Sequence, residues 1–276
     1  MRITLLANRD LASLFALNLL VRQAPQHTYT VLLSAKVGGS SSKPAGLQQL
    51  SFFEQTLFNQ LLFPLIEHQA HTPSCLRTFE QLNQVGIAIS DIANINNSQG
   101  VQIVASHKPN LILSIRFGQI LQQAIIDIPE YGVINLHSGK LPEYRGVMAT
   151  FWAMYNQQQH ITSTLHYIDS SKIDAGSRIS CATRDIDFSK SYLSNVLSLY
   201  PQGVQQIIGA INFIERGESV PLQPMSLATQ AHYYTFPTDE QLLRFNQLGY
   251  SLVDYTEILE ISRWFTSSCE YLALEG

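Results

Sequence analysis

Charge is scarce in this chain. Asp, Glu, Lys and Arg make up 14% of the 276 residues, against about 25% in an average soluble domain, so the surface is left to Gln, Asn, Ser and Thr. The formal net charge is −4, which supplies no electrostatic reason to bind nucleic acid. Cysteine is scarce too. Cys75, Cys181 and Cys269 are far apart and show no metal-ligand spacing; they suit a reducing cytoplasm, are expected to be packed thiols, and imply no metal site. Glycine is missing from the turn Asn8-Arg9-Asp10, so that turn cannot bring several backbone N–H groups onto a phosphate as a Gly-rich loop does. Arg9 is read there as half of a surface salt bridge. No apolar run is long enough for a membrane: Leu61 to Ile66 is followed at once by Glu67 and His68,. No signal peptide is expected, since Arg9-Asp10 interrupts the short apolar run after Arg2. Together these point to a cytoplasmic protein without a membrane partner.

What is present is apolar and patterned. Hydrophobic residues reach 45%, enough for one large domain or a catalytic domain plus a small appendage. Ile3 to Ala7 reads as a buried strand, Leu11 to Arg22 as a helix and Tyr29 to Leu33 as a second strand, the opening of a doubly wound α/β domain with a mostly parallel sheet. Lys36 to Gly46 reads as a mobile loop. Leu47 to His71 carries Leu50, Phe53, Leu57, Leu61, Leu62 and Leu65 at helical spacing, expected to pack into the core, with Pro64 expected to kink or divide the helix. Gly86 to Ile92 and Ser98 to Ser106 form a strand-and-helix unit, and Leu111 to Ile115 a central strand. Val147 to Gln157 is expected to be a helix with Phe151, Trp152 and Tyr155 turned inward. Thr162 to Ile168 and Ser177 to Ile186 read as strands. Tyr192 to Arg216 is expected to be one long helix stopped by Gly217.

The chain is organised around Val133 to Gly146, Val-Ile-Asn-Leu-His-Ser-Gly-Lys-Leu-Pro-Glu-Tyr-Arg-Gly. A β-branched run ends in Asn135 and His137, two apart and so on one side of a strand. The carboxyl end of such a strand is where open α/β sheets bind ligands. An Asn amide can donate to a developing oxyanion, and a His can move a proton or stabilise charge. Asp174, after the next strand, is placed to sit beside His137 and set its charge. His166 is read as a satisfied structural histidine.

Asn-x-His, then Leu-Pro-x-Tyr-Arg-Gly, then a Trp-containing helix, then Asp169 and Asp174-Ala-Gly, resembles the folate-dependent formyltransferases over Leu111 to Ile179. The resemblance implies a formyl group moved from 10-formyltetrahydrofolate to an amine, with Asn135, His137 and Asp174 as the catalytic set. It also implies that the segment Phe117, Gly118, Gln119, Ile120 and Leu121 lines a pteridine pocket through its backbone. The loop holding Asp169 and Ile173 would touch the pterin as well. Arg116 departs from the family, where a small or apolar residue is commoner; it is left to meet an acidic part of the substrate or solvent.

Within that family, the purine-pathway relatives use a Gly-rich phosphate loop that Asn8-Arg9-Asp10 does not provide. The formyl-folate hydrolase carries a domain before its catalytic one, whereas the first strand here begins at Ile3. The tRNA-modifying enzyme has a basic C-terminal domain; from Val204 onward this chain has three Lys or Arg against nine Asp or Glu. An amino sugar or a nucleotide-linked amino sugar is therefore the expected acceptor, with no nucleic-acid partner. The division expected is a catalytic part, 1–203, and an acidic, aromatic extension, 204–276, suited to a small-molecule pocket or a homodimer surface. Tyr233 to Pro237 resembles the tails of sugar-nucleotide members, where rings stack on a base; aromatic core is the equal alternative. Outside the leading expectation stand a folate-binding scaffold without activity and a methionyl-tRNA formyltransferase-like enzyme.

Overall fold

The computed structural model describes residues 1–34, 44–67, 74–225 and 232–267. Most of the Lys36–Gly46 loop, and Cys269, lie outside them. In chain order the elements are β1 (Arg2–Asn8), α1 (Leu11–Gln23), β2 (Thr28–Ser34), α2 (Ala45–Ser51), a π-helical stretch (Phe52–Leu62), α3 (Phe63–Glu67), α4 (Phe79–Gln84), β3 (Ala88–Ile92), α5 (Ser98–Ser106), β4 (Leu111–Ile115) and α6 (Gln123–Ile126). They continue with β5 (Val133–His137), β6 (Arg145–Gly146), α7 (Ala149–Tyr155), β7 (His160–Tyr167), β8 (Arg178–Asp185), α8 (Tyr192–Ser198), α9 (Tyr200–Glu215), β9 (Tyr233–Tyr234), α10 (Asp239–Gln247) and α11 (Tyr255–Arg263).

The main sheet has the order β3-β2-β1-β4-β5-β7-β8. Its first five strands are parallel and its last two, β7 and β8, antiparallel. This is the doubly wound, mostly parallel α/β sheet that the strand–helix alternation implied. Side chains alternate between two cores. Ile3, Leu5, Leu113, Ile115, Ile134 and Leu136 join the larger one with α1 and α9. Leu6, Ile112 and Val133 join the smaller one beneath α5 and α6. By the two-residue period, Asn135 and His137 share the face of Val133.

The helical run is divided next to Pro64, as expected of a kink or division there: the π-helical stretch ends at Leu62 and α3 begins at Phe63,. Three expectations need correction. On the helical run Leu50 and Phe53 are buried, but Leu61 and Leu65 are exposed. The helix expected from Tyr192 to Arg216 is two, α8 and α9, meeting at Leu199, with Pro201 in the first turn of α9. Cys181 is exposed rather than packed, because it faces outward on the outermost strand β8.

The extension is not separately folded. The boundary expected between 203 and 204 falls inside α9. Phe245 of α10 packs on Phe151 with ring centroids 4.5 Å apart, and Phe265 packs on Phe63 at 4.8 Å. The buried carboxylate of Glu257 accepts from the backbone N–H and hydroxyl of Ser191 and from the hydroxyl of Ser194, capping α8 across the junction. No helix among the described residues is long and apolar enough to cross a membrane.

Candidate functional site

Strand β5 delivers Asn135 and His137 to the carboxyl edge of the sheet. Its antiparallel neighbour β7 places His166 directly opposite Asn135. Beyond β7 the chain turns through Asp169, whose carboxylate accepts from the Ser177 backbone N–H and hydroxyl at 2.8 and 3.0 Å. That turn returns Asp174 to the same spot. Asp174 is left-handed (φ 49°), a conformation in which Asp and Asn are enriched.

The polar contacts converge. Asp174 Oδ2 lies 3.7 Å from His137 Nδ1, and Oδ1 lies 3.7 Å from His166 Nε2. The Gly146 N–H donates to Asp174 Oδ2 at 2.8 Å. Burial alone would raise the Asp174 pKa, but His137, His166 and the Gly146 N–H overcome it and bring the value down to about 2,. The carboxylate is therefore ionised throughout the physiological range.

Both histidines have assigned neighbours. His166 Nδ1 is 2.8 Å from the Tyr167 carbonyl, which can only accept, so that nitrogen carries a proton. Its Nε2 lies between the Asn135 side chain, 3.0 Å from Nδ2, and the Asp174 carboxylate, 3.7 Å from Oδ1. His137 Nε2 is 2.7 Å from the Tyr144 carbonyl and its Nδ1 faces Asp174, so both ring nitrogens look at acceptors.

The turn after β5 is pinned by Thr164, whose hydroxyl donates to Gly139 O at 2.7 Å and accepts from Leu141 N at 3.2 Å. Gly139 has no room for a side chain. A Cβ there would lie 2.4 Å from Ala149 Cβ and 2.7 Å from His137 Nε2. Gly139→Ala is expected to push the imidazole off the Tyr144 carbonyl and lower kcat by roughly 10²-fold. Steady-state kinetics, with circular dichroism to confirm folding, would check this; a kcat near wild type would show that His137 has slack.

Sequence reasoning located Asn135, His137 and Asp174, and the structure brings all three together. His166 is read from the sequence as a satisfied structural histidine, and its contacts with Tyr167 O and Asn135 accord with that, while its place beside Asn135 depends on the β5–β7 register; sequence reasoning assigns no role to Arg145, whose Nε and Nη2 both donate to the Ile173 carbonyl at 3.0 and 2.6 Å. The sequence signal for Arg145 was its place in the Tyr-Arg-Gly motif; His166 had none beyond being a polar residue on a buried strand.

The segment after β4 is partly committed to the fold. Phe117 packs against the smaller core and Leu121 is buried within it. The Gln119 amide is tied to Ile95 N, Ala93 O and Ser34 Oγ. Gly118 and Ile120 are exposed. Arg116 does not reach toward an acceptor or out to solvent. With φ 57° its backbone turns the side chain to Asp10 Oδ2 and Glu54 Oε1, each at 3.0 Å. Burial opposes its charge, but Asp10 and Glu54 more than compensate and hold the guanidinium charged. Asp10 also caps α1, so Arg116 ties β4, α1 and the π-helical stretch together. Arg9 pairs with Asp91 at 2.9 Å in an exposed contact, of little energetic weight.

Tyr234 is half-buried and stacks on the rings of Tyr144 (5.3 Å) and Trp152 (4.9 Å); Tyr233 beside it is exposed. Among the described residues no group of three or more His, Cys, Asp or Glu is placed to hold a metal.

A doubly wound α/β sheet with an amide, two imidazoles and an ionised carboxylate at its carboxyl edge defines the class: an α/β protein with a polar site of the kind used in group transfer. Residues 68–194 match the family model described as Formyl transferase. The chain is 29% identical over 138 residues to a methionyl-tRNA formyltransferase of Citrifermentans bemidjiense, a match covering 50% of this chain and 43% of that protein. The chain thus spans less than half the length of that relative. Its fold is similar to that of glycinamide ribonucleotide transformylase 1 from Symbiobacterium toebii (TM-score 0.55, 11% identity, 82% of this chain and 94% of the other). It is also similar to an N-formyltransferase from Helicobacter canadensis in complex with folinic acid and dTDP-3-aminofucose (TM-score 0.50, 15% identity, 85% and 71%).

Proposed function

We propose that the protein is a folate-dependent N-formyltransferase that takes the formyl group of 10-formyltetrahydrofolate and passes it to the amine of a small molecule, an amino sugar or nucleotide-linked amino sugar. The observation that carries this reading is the convergence of Asn135, His137, His166 and Asp174 at one strand edge. The neutral amine attacks the formyl carbon, and the side-chain amide of Asn135 donates to the oxygen as it gains charge. His137, drawn by Asp174, supplies positive charge beside that oxygen. A carboxyl group held near 2 is a poor proton acceptor at neutral pH, which favours an electrostatic role for Asp174 over a proton relay. The C–N10 bond then breaks, and the proton lost by the amine ends on N10 of the leaving tetrahydrofolate. Backbone groups of Phe117 to Leu121, with Asp169 and Ile173, are the candidates for holding the pterin. The folate compound bound to the structurally similar Helicobacter canadensis enzyme supports that donor class. We place such an enzyme in the cytoplasm, on the solubility of its donor.

The second reading, formylation of methionyl-tRNA, is favoured by the similarity to methionyl-tRNA formyltransferases. The acidic balance after Val204 opposes it, because binding RNA requires clustered cations. The test is incubation with 10-formyltetrahydrofolate and a panel of amino sugars, their nucleotide-linked forms and methionyl-tRNA, followed by mass spectrometry. A formylated sugar supports the proposal and formylated methionyl-tRNA replaces it. Folate binding without any formylated product would leave a scaffold. No salt-sensitive tRNA binding is expected below micromolar concentration in a filter-binding titration, and its appearance would favour the second reading.

A further inference from the structure

The site is built on three consecutive residues. Tyr144 offers its carbonyl to His137 Nε2, Arg145 holds the Ile173 carbonyl beside Asp174, and Gly146 donates its N–H to Asp174. The opposite side of the same three residues is gripped by a strand from the far end of the chain. Arg145 N donates to His232 O and Val147 N to Tyr234 O, each at 3.0 Å. The ring of Tyr234 stacks on that of Tyr144, 12° from parallel. Gly146, at φ 97°, lies so close to Tyr234 that a Cβ would sit 2.1 Å from the Tyr234 carbonyl oxygen. Tyr234 also rests on Trp152, whose indole N–H donates to Thr235 O at 3.1 Å.

We infer that strand β9 is a clamp that positions His137 and Asp174 for catalysis, and that Tyr234 is its positioning residue. It touches no reacting atom. It fixes the segment 144–146, and that segment fixes the imidazole and the carboxylate. A segment of only two paired residues, β6 with β9, has little stability of its own, so the aromatic stack supplies what the hydrogen bonds cannot. The aromatic cluster near residue 234 is thereby part of how the site is held. The inference rests on the formyl-transfer reading above.

The experiment uses the full chain with Tyr234→Ala, Tyr234→Leu and Tyr234→Phe, each assayed against the acceptor found in the panel, with Asn135→Ala as control. Tyr234→Ala and Tyr234→Leu are expected to lower kcat by roughly tenfold to a hundredfold, the scale of about an ångström of misplacement, with KM for the formyl donor unchanged. Tyr234→Phe, which keeps the ring, is expected to rescue most of that loss. The carboxyl of Asp174, followed by carbon NMR, is expected to titrate above its wild-type value of about 2 in the Ala and Leu variants, because the Gly146 N–H no longer holds the charged form. The groups facing that carboxyl are His137 from β5, His166 from β7 and the Gly146 N–H, with Arg145 on the adjacent carbonyl. A purely structural role would lower the melting temperature and move neither kcat of the folded fraction nor the titration. Folded Ala or Leu variants with wild-type kcat and an unmoved Asp174 would overturn the inference; should Ala fail to fold, Leu, which keeps apolar packing, gives the same two readouts. If Asn135→Ala retains full activity, the formyl-transfer reading of the site fails instead, which is a different result.

Discussion

Asn135→Ala and His137→Ala are expected to fold and to lose activity by roughly 10²–10³ in kcat, the cost of removing one preorganised oxyanion donor. The reasons differ between the two. Asn135 Nδ2 lies 3.0 Å from His166 Nε2, and in the proposed reaction the same amide donates to the formyl oxygen. Its removal takes away a donor and also leaves His166 without its orienting partner. His137 spans the Tyr144 carbonyl and the Asp174 carboxylate, so Ala there leaves a buried carboxylate with one imidazole instead of two. Stability should fall by no more than about 1–3 kcal/mol for either. Single-turnover kinetics at saturating donor, with thermal melts, separate the two effects. A variant with wild-type kcat would remove that residue from the chemistry.

Asp174→Asn is expected to reduce kcat by about 10²-fold with an unchanged dissociation constant for the folate donor. The substitution isolates charge: Asn tolerates the left-handed backbone at this position, keeps an acceptor for the Gly146 N–H, and fills the same volume. It also tests linkage. The carboxyl titrates at about 2 in the folded protein against 3.8 ordinarily, so the ionised form is the one the fold favours. Its contribution, about 2 kcal/mol by the shift alone, is complete above the unfolded value and is lost as pH falls through about 2. The stability difference between wild type and Asp174→Asn should be largest near neutrality and shrink progressively below about pH 4. Urea midpoints measured from pH 7 downward provide the comparison. A pH-independent difference, with kcat unchanged, would make Asp174 a turn residue only.

Much of this was legible in the sequence because it was written in local pattern. Apolar strands alternating with helical periods reported the doubly wound sheet, and Asn135 and His137 followed from strand parity at the end of β5. What was not legible was register and backbone hand. His166 meets Asn135 only because β7 runs antiparallel to β5 in one particular register; a shift of one residue would have turned it into the other core. Arg116 by parity belongs on the face of Ile112, and its positive φ carries it to Asp10 and Glu54 instead. The break at Leu199 had a signal in Pro201, whose missing N–H cannot continue the α8 ladder to Leu197 and which opens α9 instead,. The packing of Tyr234 on two rings could not be read from the sequence, since stacking on a base and stacking on Tyr144 require the same side chain.

The seam between the first and last parts of the chain also governs when the protein becomes competent. Leu76 N donates to Trp264 O, Cys75 N to Ser267 O, and Phe58 and Phe63 close on Phe265, while β9 must arrive before β6 has a partner. These contacts close loops of great length, which slows folding. A chain in which residues 232–267 have not docked therefore carries Asn135, His137 and Asp174 on the sheet while β6 lacks its partner, and it exposes the rings of Phe58, Phe63 and Phe151 on which Phe265 and Phe245 otherwise pack.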